Sequence, residues 1–277
     1  MRILFFGDVI GKAGRTGLAR QLPLWRKKFR PDFVIVNMEN AAHGFGVGRT
    51  QLQEIEKLGI DVMTGGNHIL RGKNARELLT DEKIALLRPL NAPRAWPGKG
   101  IITKKIVGQK SQTKGLSNGV NETAITVVNL IGQHGMREHY NSPFEAIETV
   151  LKKEELKQNI IIVDWHAEAS SEKVLLGWYL DGRVSAVIGT HTHIPTADER
   201  ILPRGTAFIS DAGMVGSYHS VIGVTIDSAF KKITECLPVS LEIDEEWPLE
   251  INAVMIDIEP KSKKAVGIKR LRAIVKK

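Results

Sequence analysis

Short runs rich in valine, isoleucine and phenylalanine recur along the chain, at residues 2–7, 33–37, 61–64, 123–130, 159–165 and 184–189. Each has the length and the β-branched content of a buried strand rather than of a helix. Between most of them lie segments with helical spacing or capping, at 15–29, 50–58, 73–79, 143–154 and 171–180. Ser142, Pro143 and Glu145 occupy the N-cap, first-turn and third positions of a capping box, which places the start of that helix at Pro143. Strands alternating with helices predict an α/β protein whose main connections cross over a sheet. The later strand-rich part, from Thr206 to the C-terminus, predicts a second sheet packed on the first, with residues 1–277 forming one layered domain.

The chain has 277 residues and 42% apolar content, enough to bury roughly three quarters of the unfolded surface in a core. Cys236 is the single cysteine and cannot form an intramolecular disulfide. The opening run MRILFFGDV is too short for a signal h-region, so a cytoplasmic protein is expected. Charge or glycine interrupts every apolar run well short of a membrane span.

The formal charge of +8 invites a nucleic-acid reading, so its location matters. Residues 261–277 hold Lys261, Lys263, Lys264, Lys269, Arg270, Arg272, Lys276 and Lys277 and no acidic residue, which accounts for the whole excess. The sequence VMIDIE, then PKSKK, then AVGIKRLRAIV reads as strand, turn, strand. A solvated hairpin arm is therefore expected in preference to a nucleic-acid patch, because no aromatic residues are interleaved for base stacking. Residues 108–122, rich in Gly, Ser, Asn, Gln and Lys, are expected to be a mobile loop joining two strands. The glycines of GKAGRTG and GFGVG lack the spacing and partner acid of a dinucleotide fingerprint and are read as turn residues.

Chemistry gathers where the apolar runs stop. RILFFG ends in Asp8, FVIVN leads into Glu39 and Asn40, DVMTGG into Asn67 and His68, IIIVDW into His166, and AVIGT into His191 and His193. In open α/β sheets the carboxyl ends of strands are where catalytic groups collect. Taken singly, Asp8 could cap a helix, Glu39 could be a solvated charge and Asn67 a turn residue. Residues two apart on an extended segment share a face, so THTH is expected to aim both imidazoles at a common point. Oxygen and nitrogen ligands without cysteine argue against a structural zinc site and for Mn, Fe, Zn or a similar ion. So many ligands suit two metals, roughly 3.5 to 4 Å apart, clamping a phosphate ester. His43, His134, His139 and His219 fall outside these strand ends, whereas Glu168, Glu172 and Asp211 are candidates to accept the second N–H of a ligating imidazole.

GDV, GGNH and GTHTH, in that order, resemble the signature of the calcineurin-like metallophosphoesterases. More closely, FGDVIGKAGR, VNMENAAHGFG, TGGNH, RPLNAP, DWHAEASSEK and GTHTHIPTADERILPRGTAFISDAGMVGS resemble the YmdB-like bacterial family of 2',3'-cyclic-nucleotide 2'-phosphodiesterases, from residue 4 to about residue 217. The resemblance implies a four-layer α/β/β/α sandwich of two packed mixed sheets flanked by helices, two divalent ions (iron or manganese, with zinc an alternative), and a homo-oligomer. It places Asp8, Glu39 and His193 on one metal and Asn67, His166 and His191 on the other, with Glu39 bridging. Asn40 is then a metal ligand or phosphate contact, and His68 the general acid that protonates the departing ribose oxygen while a metal-bridging hydroxide attacks phosphorus.

Five positions, in three places, depart from the superfamily and family patterns. Ile10 stands where the superfamily has a histidine, Ile69, Leu70 and Arg71 replace an aromatic-and-aspartate continuation of GGNH, and Trp165 replaces a phenylalanine. The implied activity is hydrolysis of a small phosphodiester, RNA-derived substrates included, with 2',3'-cyclic nucleotides first. A metal-dependent RNase or general phosphodiesterase and a regulatory protein that retains the metal centre are the alternatives.

Overall fold

The computed structural model describes residues 1–107 and 122–277. In chain order its main elements are β1 (Arg2–Val9), α1 (Gly11–Phe29), β2 (Phe33–Asn37), α2 (Arg49–Glu56), β3 (Val62–Thr64), α3 (Ala75–Thr80), β4 (Ile101–Val107), β5 (Glu122–Ile131), α4 (Pro143–Leu151), β6 (Ile160–His166), α5 (Ser170–Tyr179) and β7 (Ala186–Thr190). They continue as β8 (Arg200–Ile201), β9 (Ala207–Ile209), β10 (Met214–Ser217), α6 (Ile226–Ile233), β11 (Leu249–Ile258) and β12 (Ala265–Val275). The strands form two mixed six-stranded sheets, ordered β12-β11-β10-β1-β2-β3 and β4-β5-β6-β7-β9-β8.

The period of two in the strands produces the layers. On β1, Ile3 and Phe5 join a buried cluster with Ile125 and Val127 of β5, Ile162 of β6 and Ile188 of β7, which fills the space between the sheets. Leu4 and Phe6, pointing the other way, pack with Leu18, Leu22 and Trp25 of α1 and Leu52 of α2. On the far side, Val128, Val163 and Val187 of the second sheet cover Ile147 and Val150 of α4 and Leu176 of α5. Strands apolar on both faces, with helices outside each sheet, make the expected α/β/β/α sandwich. No helix among the described residues is long and apolar enough to cross a membrane.

Several expectations need correction. The strands after Thr206 do not form the second sheet. β9 joins β7 there, but β10 pairs in parallel with β1 and β11 pairs antiparallel with β1, completing the first sheet. The glycines of GKAGRTG are not turn residues, since Gly11, Gly14 and Gly17 all lie in α1, which begins before residue 15. A Cβ on Gly14 would stand 2.3 Å from the Val215 carbonyl oxygen, so this glycine lets the helix lie directly on β10. Ser142 caps α4 as expected, its Oγ accepting from the Glu145 N–H at 3.3 Å, but that helix ends at Leu151. The basic C-terminal segment is the outer strand of a hairpin with β11, an edge that lysine and arginine protect against further pairing. The expected loop at 108–122 lies outside the described residues, except that Glu122 opens β5.

Candidate metal centre

Strand ends from both sheets meet at one edge of the sandwich. Asp8 lies at the end of β1, Glu39 and Asn40 follow β2, Asn67 and His68 follow β3, His166 ends β6, and His191 and His193 follow β7. His166 Nε2 is the centre of the tightest group: Glu39 Oε1 is 3.2 Å away, Asn67 Oδ1 3.1 Å and His191 Nδ1 3.0 Å. Glu39, His166 and His191 each offer a ligand atom within 4.8 Å of the others. A Cβ on Gly66 would lie 2.0 Å from Glu39 Oε2 and 2.4 Å from His166 Nε2, so the second glycine of GGNH is what permits this approach.

Proton positions follow from the partners. Thr190 Oγ1 donates to Asp164 Oδ1 at 2.7 Å and so accepts from His166 Nδ1–H at 2.9 Å. Burial pushes the His166 imidazole down to about 4, and a neutral ring whose proton is on Nδ1 presents a bare Nε2. Burial likewise pushes His191 down to about 3, and its single proton goes to Nε2, 3.1 Å from Glu168 Oε2, leaving Nδ1 bare. Four electron-rich atoms thus face one another with no proton to share. A cation is the partner such a set fits.

The other half of the site is looser. Asp8 Oδ1 is buried without a hydrogen-bond partner among the described residues, 3.9 Å from His166 Nδ1 and 4.0 Å from His193 Nε2. Its other oxygen accepts from the His191 N–H at 3.1 Å. Burial pushes the Asp8 carboxyl above its ordinary value, against the pull of His193 and His166. His193 Nδ1 donates to the Ile222 carbonyl at 2.8 Å, which leaves its Nε2 bare as well. An unpartnered buried carboxylate oxygen beside a bare imidazole nitrogen also fits a cation.

Asn40 ties the two halves to His68. Its Nδ2 donates to Glu39 Oε1 at 3.1 Å and to His193 Nε2 at 3.2 Å, while its Oδ1 accepts from His68 Nδ1 at 2.9 Å. Burial lowers the His68 pKa, and Glu39 pulls in the opposite direction. Phe45, partly exposed, meets the His68 ring edge to face at 4.9 Å, and the Arg71 guanidinium lies over Phe45 at 5.6 Å. Arg71 also reaches Glu138 at 3.3 Å.

His191 and His193 arrive by a route that strand alternation does not describe. β7 stops at Thr190, and both histidines hold left-handed backbone, with φ of 102° and 68°. Two unfavourable kinks, rather than an extended segment, turn the imidazoles toward the two halves. Of the residues expected to accept an imidazole N–H, Glu168 does so, whereas Glu172 accepts from the backbone N–H groups of Gln133 and His134. Asp211 instead accepts from Lys173 Nζ at 2.6 Å and from the Thr192 N–H at 3.0 Å, bracing the histidine segment from behind. Ile10 is buried and packs against Gly223.

Sequence reasoning missed Asp164, which is fully buried and accepts from Thr64 Oγ1, Thr190 Oγ1 and Asn37 Nδ2. Burial raises it to about 7, against those three hydrogen bonds. The signal was an acid inside IIIVDWH, two residues before His166 on the same face of the strand.

The family model for YmdB-like proteins matches residues 4–271. The chain is 39% identical over 271 residues to the 2',3'-cyclic-nucleotide 2'-phosphodiesterase of Bacillus subtilis (strain 168), covering 98% of this chain and 96% of that one. Among solved structures, a hypothetical protein from Thermus thermophilus superposes with a TM-score of 0.86 at 34% identity, over 99% of this chain and 100% of the other. A novel phosphatase from Mycoplasma pneumoniae also gives 0.86, at 29% identity, over 100% and 94%.

Proposed function

The chain belongs to the YmdB-like family, and from that premise we propose that it is a metal-dependent phosphodiesterase that opens 2',3'-cyclic nucleotides and related small, RNA-derived phosphodiesters, releasing 3'-nucleotides. The observation that carries this reading is the set of bare donors around His166 Nε2, contributed by both sheets. One divalent ion would be held by Glu39, Asn67, His166 and His191, and a second by Asp8, Glu39 and His193, with Asn40 alongside. Iron or manganese suits this mixture of imidazole, carboxylate and amide, and zinc is the alternative. When bound, the ions supply Lewis acidity that activates water and offsets charge on the phosphate.

The chain's own residues do the rest. Asn40 holds the Nδ1–H of His68, which leaves Nε2 as the nitrogen for proton transfer. Burial keeps the resting imidazole neutral, and an arriving phosphodiester anion adds negative charge that favours the protonated ring. His68 then delivers its Nε2 proton to the ribose 2'-oxygen as the P–O2' bond breaks. Phe45, beside His68, offers a ring on which a nucleobase can stack.

The test is turnover of a 2',3'-cyclic-nucleotide panel by purified protein with manganese, together with metal analysis. Hydrolysis is expected, and no turnover of any member would sink the proposal. His68→Ala should lower the rate by about 10²- to 10⁴-fold with metal content unchanged. Loss of metal in that variant would contradict the role given to His68.

A further inference from the structure

The parallel strands of the second sheet have two ends, and only one belongs to the metal centre. β6, β7 and β9 run in the same direction, so the ends opposite His166 and Thr190 also gather. There Ile161, Ser185 and Gly205 line a cavity of about 250 Å³. β6 is a seven-residue strand, which puts the cavity roughly 20 Å from the site at its other end.

The cavity has an apolar floor and a cationic mouth. Leu151, Leu156, Ile161 and Val184 supply the floor. Lys157, Arg183, Arg204, Lys263 and Lys264 supply the mouth, and no carboxylate is among the lining residues. Two of the cations are neutralised from outside, Lys157 by Glu154 at 2.6 Å and Arg183 by Glu148 at 2.6 Å. Lys263 Nζ donates to the Lys157 carbonyl at 2.7 Å, pinning the β11–β12 turn against the segment before β6. The Arg204 and Lys264 side chains have no ion-pair partner among the described residues. Asp181 accepts from the backbone N–H groups of Arg204 and Thr206, and Glu259, next to the lining residue Ser262, accepts from the backbone N–H groups of Lys261 and Ser262. Lys263 and Lys264 come from the basic C-terminal segment, for which the catalytic reading has no use.

We infer that this cavity is a second, non-catalytic binding site for a small phosphate monoester with an apolar body, of mononucleotide size or below. Several like charges around one concavity raise one another's energy, and a multiply charged anion relieves them all. A guanidinium pairs phosphate oxygens in a two-pronged geometry, and the further oxygen and second charge of a phosphate monoester let it meet a neighbouring ammonium as well. The floor gives the non-phosphate part of the ligand an apolar surface, and the volume, just below the usual range of ligand pockets, restricts the ligand to a small one. None of this depends on the reaction proposed above.

The experiment follows backbone amide shifts of the full chain by NMR during titration with 5'-AMP, adenosine and inorganic phosphate. With 5'-AMP, the amides of Ser185, Gly205 and Lys264 should shift and saturate, with either fragment binding about tenfold more weakly or worse. Arg204→Glu combined with Lys264→Glu should lower the affinity by about tenfold or more, while turnover of bis(4-nitrophenyl) phosphate stays at the parent rate. If circular dichroism shows that this variant fails to fold, Arg204→Gln with Lys264→Gln takes its place. No shift at those amides at millimolar 5'-AMP, or undiminished shifts in the double variant, overturns the site. Equal affinity for inorganic phosphate overturns the part assigned to the apolar floor.

Discussion

Behind His166 the supporting carboxylate is Asp164, held by two threonine hydroxyls and the Asn37 amide, with no cation paired to it among the described residues. Behind the His191–His193 segment it is Asp211, held by the Lys173 ammonium. Both side chains are fully buried, yet they are displaced in opposite directions. Burial drives Asp164 up to about 7, because neutral donors offset only part of the lost hydration. Burial also pushes Asp211 up, but Lys173 and the Gly213 and Thr192 N–H groups outweigh it and hold the carboxyl below its usual range. The Asp164 wall sets a tautomer through Thr190, whereas the Asp211 wall anchors a strained backbone.

Breaking the second wall should have the larger effect. Asp211→Asn leaves the Lys173 ammonium buried beside a neutral amide, and truncating one partner of such a pair costs about 3–5 kcal/mol. Urea unfolding should show that loss, and Lys173→Met in the same chain should recover part of it. Equal stability of Asp211→Asn and the parent would mean that Lys173 finds another partner. Next in size is Thr190→Val, which removes the acceptor for His166 Nδ1–H. The imidazole is then free to move its proton to Nε2, where it blocks the donor set. Metal affinity and hydrolysis should fall together by about 10- to 100-fold. His193 provides the control, because its Nδ1–H is held by a backbone carbonyl, that of Ile222. Ile222→Val should leave metal content at the parent level.

The same contrast marks what could be read before folding. Leu4 and Phe6 alternate with Ile3 and Phe5, and that local pattern suffices to predict a strand between two apolar layers. Asp8, Glu39, Asn67 and His166 were legible because each ends or follows such a run. Which sheet a strand joins is a non-local matter, since β1 pairs with β10 at Asp8 and Met214, far apart in sequence. Nor does THTH announce its left-handed residues, because that strain persists only where Asp211, Asp8 and Ile222 hold the backbone and rings in place. Asp164 was hidden for a related reason. Its value lies entirely in partners drawn from β2, β3 and β7.

The last expected effect is on the pH dependence of stability in metal-free protein, and it sharpens the contrast by sign. Asp211 has a folded pKa below the ordinary aspartate value of about 3.9. Between the two values the unfolded chain binds more protons, so this residue's contribution is complete above about pH 4 and is lost as pH falls through the folded value. Asp164, at about 7 when folded, behaves oppositely. From about pH 4 to 7 the folded chain binds Asp164's extra proton, so this residue's contribution to stability falls as pH rises across that window. Asp164→Asn should remove that falling contribution and so make the slope between about pH 4 and 7 more positive than the parent's, where the lowered His166 and His191 contribute a rise, while Lys173→Met with Asp211→Asn should flatten only the acid limb below about pH 4. Urea midpoints measured across pH for the parent and both variants separate the two slopes. If Asp164→Asn leaves the slope between pH 4 and 7 unchanged, the hydroxyl and amide donors around Asp164 hold it ionised throughout, and the two walls are electrostatically alike.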